Sequence, residues 1–171
     1  MTQTLLRPLA QEDAPLIARA FSDIRVTRFL EEVRQPYTLE DAKAFVFFAA
    51  AKASSGRDFA VSADGAFAGM MSLVYGAGRH ACECELGYWL LPEYWNQGIA
   101  SRAIRLAADF AFEKRGLERV FARSYEKNAA SCRALEKAGF EPEAVLRRSA
   151  LLDGAPENVR LYALLNPLTI V

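Results

Sequence analysis

Histidine is almost missing from this chain, with His80 the only one in 171 residues. A metal cluster or a proton relay built from several imidazoles is therefore excluded. Cysteine is also scarce: Cys82, Cys84 and Cys132 make an odd count of 3, and their spacing fits no disulfide framework. This pattern argues against a disulfide-stabilised secreted domain and favours a reducing compartment.

The chain also lacks an excess of charge and a long apolar run. Lysine plus arginine and aspartate plus glutamate both total 21, which argues against a nucleic-acid or membrane partner. No early segment has the pattern of a signal peptide, and no apolar run reaches the roughly 20 residues that span a bilayer. No repeat or flexible linker divides the sequence. We therefore expect a soluble, cytoplasmic protein with a single domain over residues 1–171.

The pattern of apolar residues predicts a mixed α/β fold. A first strand is expected at Leu5–Leu9, a helix start near Asp13, and a second helix from Thr38, where Asp41 completes a capping box. Period-two alternation and turn residues then predict an antiparallel meander. After Gly98 the pattern alternates between helix and strand. The later expected elements are a strand around Phe59–Val61, strands Phe67–Val74 and Ala81–Leu91, a helix Ile99–Gly116, a strand Arg119–Ser124, a helix Asn128–Ala138, and a hairpin of Glu143–Leu152 with Val159–Leu165.

A strand–loop–helix junction around Gly98 is the most informative segment. Unpaired N–H groups and a partial positive charge at a helix N-terminus suit a pyrophosphate. Gly98 and Ala100 would let phosphate approach the backbone closely. Taken alone, the junction is better explained by a simple turn. Arg102, in the first helical turn, could add charge to the phosphate, but a solvated helix residue explains it better. The Walker and dinucleotide-binding fingerprints are both missing here.

Two ordered motifs in the second half of the chain resemble the GNAT acetyltransferases. The first is ELGYWL (85–90) with YWNQGIA (94–100), which resembles the cofactor-binding motif of the family. The second is NAAS (128–131) followed by EKAGF (136–140), and YALL (162–165) resembles the closing strand. The subgroup that the chain resembles most acetylates the N-terminal alanine or serine of ribosomal proteins. The resemblance covers nearly the whole chain.

This resemblance implies a fold, a cofactor and a set of binding residues. The fold would be a mostly antiparallel central sheet with helices on both faces and a splayed central strand pair. The cofactor would be acetyl-CoA, the partner an amine acceptor, and the assembly a possible homodimer. The implied cofactor-binding residues are Tyr88, Trp89, Leu90, Asn96, Gln97, Gly98, Ile99, Ala100, Ser101, Asn128 and Ser131.

Two positions depart from the family pattern. Trp95 stands where the broad superfamily has arginine or glutamine, although the subgroup shares the aromatic residue. Leu135 stands where many relatives carry a tyrosine that protonates the departing thiolate. The general acid of the reaction is therefore open.

Attack of an amine on a thioester requires a base, a stabilised oxyanion and a protonated leaving group. We predict that Glu85 is the base, acting through a water. Glu83 would lie on the same face of the strand, and a second carboxylate nearby would strengthen one of the two as a base. The alternative is that both are solvent-facing residues that deter edge pairing. We prefer this alternative for Glu83, whereas the resemblance to the subgroup favours the functional role for Glu85.

Asn128 and Ser131 lie three residues apart, on one face of the predicted helix. Asn128 is predicted to hold the pantetheine amide, and it is also a plausible N-cap. Ser131 is predicted as a catalytic residue that hydrogen-bonds the thiol sulfur or relays its proton.

Three other signals are interpreted without a site. Cys82 and Cys84 are expected to face the core, and burial as small apolar side chains accounts for both cysteines without a metal site. An acyl-enzyme route through Cys132 is conceivable at a helix N-terminus, but transfer from the cofactor needs no such nucleophile. A charged loop is expected between the first two helices, with the members Arg25, Arg28, Glu31, Glu32 and Arg34. By analogy with the family, this loop would line the groove that binds the acceptor, and Glu31 or Glu32 could attract a cationic amine. A loop that is simply solvated explains these residues as well.

The function that these patterns favour is acetyl transfer from acetyl-CoA to a primary amine, on a protein N-terminus or a small molecule. The alternative is a non-catalytic module that binds or senses acyl-CoA, which Leu135 keeps open. Glu85, Asn128 and Ser131 count against it.

Overall fold

The computed structural model describes residues 2–30, 33–49, 54–167 and 169. Within them it forms one seven-stranded sheet flanked by helices. No helix in these ranges is both long and apolar enough to cross a membrane. The strands are β1 Thr4–Pro8, β2 Gly56–Ala63, β3 Ala66–Tyr75, β4 Glu83–Leu90, β5 Arg119–Tyr125, β6 Glu141–Leu152 and β7 Ala155–Leu165. The helices are α1 Ala14–Phe21, α2 Ile24–Thr27, α3 Leu39–Ala49, α4 Ile99–Arg115 and α5 Ala129–Lys137.

The strand order across the sheet is β1-β2-β3-β4-β5-β7-β6. Five of the pairings between neighbours are antiparallel, and only β4 with β5 is parallel. The parallel pair arises because α4 carries the chain from the end of β4 back to the start of β5. The predicted mixed, mostly antiparallel sheet is thereby confirmed.

The sheet has an apolar layer on each face, as the alternation of side chains along a strand requires. On β2, Phe59 and Val61 pack in the cluster that holds α4 and α5, whereas Ala60 packs in the cluster that holds α1 and α3. Ile104 of α4 and Ile17 of α1 are fully buried at the two faces. Each such side chain contributes about 1.5–3 kcal/mol by leaving water. Helices on both faces of the sheet are therefore confirmed.

The capping box predicted at the start of α3 is present. The Thr38 N–H and hydroxyl both donate to Asp41 Oδ2, at 2.8 and 2.6 Å, and the Asp41 N–H donates to Thr38 Oγ1 at 3.1 Å. These bonds satisfy backbone groups that the first helical turn leaves without an intrahelical partner.

Replacing Thr38 with alanine should destabilise the protein by about 1 kcal/mol, because the Asp41 N–H loses its side-chain acceptor. Urea denaturation of Thr38→Ala measures this loss. Thr38→Ser, which keeps the hydroxyl, is the matched control and should retain most of the free energy of unfolding. If both variants lose the same amount, the methyl group and not the cap stabilises the helix.

Strand β4 begins later than the sequence pattern predicts. A short 3₁₀ turn at Gly78–His80 and a further turn precede it, so the strand starts at Glu83 and not at Ala81. Cys82 therefore lies outside the alternation of β4 and is exposed, while Cys84 is fully buried. The prediction that both thiols face the core was wrong for Cys82.

Candidate active site

A gap opens between β4 and β5 where their pairing stops. The two strands are in register only from Glu83–Glu85 to Arg119–Phe121. Beyond that point β4 continues to Leu90 and β5 to Tyr125 without pairing with each other, while β5 stays paired with β7 along its whole length. The splayed strand pair that the resemblance implied is therefore present, and it leaves one edge of β4 unpaired.

The unpaired edge of β4 offers backbone donors to the gap. Gly76 N–H donates to Glu83 O at 3.0 Å, Leu91 N–H donates to Ala68 O at 2.9 Å, and the register between them is continuous. Odd-numbered residues of β4 therefore bond to β3, and the N–H groups of Tyr88 and Leu90 point into the gap. Trp95 Nε1 donates to the Leu90 carbonyl at 2.8 Å.

Trp89 plays a different part from its two neighbours. The same alternation directs its N–H toward β3, away from the gap. Its ring contacts Phe21 of α1 and Phe67 of β3, with centroid distances of 5.4 and 6.0 Å. The structure thus places Trp89 at the cleft wall and in the packing between α1 and the sheet.

The turn before α4 has the geometry of an anion-binding site. Gly98 is the N-cap residue, with φ of 71°, and Asn96 also has a positive φ of 59°. The first helical bond of α4 is from Arg102 N–H to Gly98 O at 3.3 Å. The N–H groups of residues 99–101 therefore have no intrahelical acceptor and are available to phosphate oxygens.

Two polar side chains hold this turn in place. Gln97 Nε2 donates to Glu93 O at 2.8 Å, and Gln97 is the one predicted binding residue that does not line the cleft. Arg102 Nε donates to Thr4 Oγ1 at 3.0 Å, and its Nη2 donates to Gln97 O at 3.2 Å. Arg102 therefore ties the turn to β1, a role that the sequence pattern did not show.

The N-terminus of α5 forms the opposite wall of the gap. Asn128 is its N-cap, since Asn128 Oδ1 accepts from Ser131 N–H at 3.2 Å. Both residues line the cleft. Ser131 Oγ lies 2.8 Å from the hydroxyl of Tyr88, so β4 and α5 are joined across the gap by side chains.

Leu135 points away from this gap. Its side chain is fully buried in the cluster beneath α4 and α5 and does not line the cleft. In this chain, position 135 therefore contributes to packing, and any acid for the leaving group lies elsewhere.

Glu85 lines the cleft at the point where β4 and β5 part. Arg123 of β5 donates to both of its carboxylate oxygens, at 2.7 and 2.9 Å. Glu83 has its own partners, His80 Nδ1 at 2.8 Å and Arg119 Nη1 at 3.6 Å. β5 thus places an arginine beside each glutamate, and a strengthening of the base by a carboxylate pair stays a prediction.

The cleft around these residues has a volume of about 1310 Å³, large enough for a nucleotide-sized donor and an acceptor. At the end away from α4, Arg28 Nε and Nη2 donate to Asp153 Oδ2 at 3.0 and 2.7 Å. Arg28 comes from the charged loop of the sequence analysis. Glu31 and Glu32, the other candidates there, lie outside the described residues.

Comparison with known proteins identifies the family. The model of the acetyltransferase (GNAT) domain matches residues 3–141. The chain belongs to the GNAT acetyltransferases. It is 31% identical over 173 residues to the uncharacterized N-acetyltransferase YoaA of Bacillus subtilis, covering 95% of this chain and 93% of that protein.

A further curated protein and a solved structure are also similar to this chain. The spermidine N(1)-acetyltransferase of Escherichia coli is 28% identical over 153 residues, which are 90% of this chain and 81% of that protein. The solved structure of RimL, a ribosomal L7/L12 α-N-protein acetyltransferase in complex with coenzyme A, shares the fold. Its TM-score is 0.85 at 17% identity, covering 96% of this chain and 95% of that one.

This GNAT chain is an acetyl-CoA-dependent N-acetyltransferase, and its cleft fits that donor. The N-terminal turn of α4 offers backbone N–H groups for a pyrophosphate. The unpaired N–H groups of Tyr88 and Leu90 suit an amide-containing arm that runs beside β4. Asn128 adds a side-chain amide from the opposite wall. Acetyl-CoA supplies the activated acetyl group, carried as a thioester.

In the described ranges, no cluster of three or more histidine, cysteine, aspartate or glutamate side chains is placed to hold a metal ion. Cys132 is buried on the core side of α5, and its Sγ lies 3.8 Å from Ser124 Oγ. Sequence reasoning did not identify the contacts of Tyr88 and Arg123. Both contacts join distant segments, and no local spacing reports them.

Proposed function

We propose that this acetyltransferase acetylates the α-amino group of a peptide or protein N-terminus. The observation that carries the proposal is the pairing of the acidic side chains that line the cleft. Among the described residues that line it, only Glu85 and Asp153 are acidic. Each is held by an arginine of this chain, Arg123 or Arg28.

A polyamine carries several positive charges and needs several carboxylates that are not already neutralised. A peptide N-terminus presents one ammonium group and a neutral backbone. The ion-paired carboxylates of this cleft, together with cleft-lining Arg133, therefore favour the peptide. The α-N-protein activity in the name of RimL supports this choice, and the name of the spermidine relative supports the other.

We propose that Glu85 accepts the proton of the acceptor ammonium, through a water, when the amine displaces Arg123 from part of the carboxylate. The N–H groups of Tyr88 and Leu90 lie on the free edge of β4, where they can stabilise negative charge on the carbonyl oxygen of the acetyl group. Ser131, on the opposite wall, donates its hydroxyl proton to the leaving sulfur.

The acceptor class is tested by measuring thiol release from acetyl-CoA with matched amines. Peptides that begin with alanine or serine should give kcat/KM values at least about tenfold above that of spermidine, because each carboxylate among the described cleft residues already has an arginine partner. The same peptides with a blocked α-amino group are the control and should release no thiol above background. A higher kcat/KM for spermidine would contradict the peptide assignment and leave acetyl transfer itself intact.

A further inference from the structure

Tyr88 makes a hydrogen-bonded contact across the gap that the roles given above do not use. Its phenolic oxygen lies 2.8 Å from Ser131 Oγ and 3.2 Å from the Ser131 carbonyl oxygen. Either hydroxyl can donate to the other, and the carbonyl can only accept. When one of the two protons moves, the second hydroxyl is therefore already within hydrogen-bonding distance.

The surroundings of Tyr88 keep its phenol protonated. Burial of the side chain against α5 raises its pKa to about 12, although the bond with Ser131 acts in the opposite direction. Ser131 is fixed as well, because its N–H is bonded to Asn128 Oδ1 at 3.2 Å. The two hydroxyls thus form a short, protonated chain at the wall of the cleft.

A second hydroxyl beside Ser131 would make proton donation by Ser131 easier. An aliphatic hydroxyl that gives up its proton alone becomes an alkoxide, which is far less stable than a phenolate. A serine that protonates a leaving group therefore benefits from a second donor that reprotonates it in the same step. Leu135 cannot serve, since its side chain is apolar and buried away from the cleft.

We propose that Tyr88 is a positioning residue that orients the Ser131 hydroxyl and replaces the proton it loses. This inference rests on the proposed function, in which Ser131 donates its proton to the leaving sulfur. As the carbon–sulfur bond breaks, the Ser131 proton forms the new S–H bond, and the Tyr88 proton forms a new O–H bond on Ser131. The Tyr88 phenolate then takes a proton from water. The acceptor ammonium loses two protons, one before and one after attack, and both leave through Glu85 to solvent. One of them offsets the proton that Tyr88 takes from water, so one proton is released net and the protons balance.

Kinetics of three variants test the coupling of the two hydroxyls. Tyr88→Phe should lower kcat roughly 10- to 100-fold and leave the KM for acetyl-CoA within about twofold, because the phenol acts on the departing sulfur only through Ser131. Ser131→Ala should lower kcat at least as much. Adding Tyr88→Phe to Ser131→Ala should change kcat by less than about twofold.

Tyr75→Phe is the matched control. Tyr75 lies on the neighbouring strand β3 and does not line the cleft. The Arg115 guanidinium lies over its ring, with Cζ 4.4 Å from the ring centroid. The same loss of a hydroxyl there should leave kcat unchanged. Multiplicative losses in the double variant, or equal losses of kcat and of coenzyme A affinity in Tyr88→Phe, would overturn the relay and indicate a structural role.

A measurement without turnover examines the same contact. The ¹³Cζ resonance of Tyr88 is assigned by its disappearance in Tyr88→Phe, and Ser131→Ala should shift it by removing the hydrogen bond. Coenzyme A should also shift it, whereas desulfo-coenzyme A, which lacks the thiol, should shift it much less. Equal shifts with both ligands would overturn the proposal.

These two experiments separate the failure of this inference from that of the function. If wild-type protein acetylates peptides and Tyr88→Phe keeps the full kcat, the inference is wrong and the function stands. If wild-type protein acetylates no amine, the proposed function has failed, and the nuclear magnetic resonance comparison alone decides whether Tyr88 senses the thiol.

Discussion

Replacing Gly98 with valine is expected to weaken coenzyme A binding roughly 10- to 100-fold. Gly98 has φ of 71°, a left-handed conformation that a β-branched residue strongly disfavours. Its added Cβ would lie 3.0 Å from Arg102 Nη1, so the guanidinium that ties the turn to β1 must shift in addition to the backbone strain. Relaxing that strain turns the N–H groups of residues 99–101 away from the phosphates. Restoring the turn costs about 1–2 kcal/mol, or about tenfold in affinity. The valine side chain further blocks the close approach.

The Gly98→Val prediction has a matched control at the other end of the same helix. Gly116 caps the C-terminus of α4 with φ of 63°, and a Cβ there meets no atom within 4 Å. Gly116→Val carries similar backbone strain but lies outside the cleft. Titration calorimetry with coenzyme A should show a weakened Kd for Gly98→Val and an unchanged Kd for Gly116→Val. Unchanged affinity in folded Gly98→Val would refute the assignment of the phosphate-binding turn.

Replacing Glu85 with glutamine is expected to lower kcat/KM about 100-fold near pH 6.5 and much less near pH 9. A peptide α-amino group has a pKa of about 7.7–8.0, so at the lower pH most of the acceptor is an ammonium that must lose a proton before attack. At the higher pH the amine is already neutral, and the base is needed less. The measurement is the pH–rate profile of thiol release with one fixed peptide.

Glu83→Gln is the control for Glu85→Gln. It removes the same charge from the same strand, two residues earlier, but Glu83 does not line the cleft. We expect Glu83→Gln to keep the wild-type pH–rate profile. A Glu85→Gln enzyme with that same profile would show that Glu85 is not the base.

Much of the fold could be predicted from local patterns. The capping box at Thr38, the alternation along β2 and the glycines that bound α4 each depend on residues close together in sequence. The start of β4 was predicted two residues early because an apolar, cysteine-containing run resembles a strand even where the backbone still turns. The residues before Glu83 form the 3₁₀ turn and the further turn that follows it.

The side-chain partners in the site could not be predicted in the same way. Tyr88 and Ser131 are 43 residues apart, and Glu85 and Arg123 are 38 apart. Their contacts exist because β4, β5 and α5 meet at the gap, and this follows from the packing of the whole sheet. The motif spacing identified the turn at Gly98 and the cap at Asn128, since both are local backbone features.

The central claim, acetyl transfer to an amine, is tested most directly by following the acetyl group itself. Wild-type protein is mixed with acetyl-CoA and a peptide that has a free α-amino group, and thiol release and peptide mass are measured together. We predict that each thiol released matches one acetyl group gained by the peptide, and that neither occurs without an acceptor. If calorimetry shows acetyl-CoA binding while no peptide, polyamine or small amine provokes thiol release, the account is contradicted, and the protein is a module that binds acyl-CoA without transferring it.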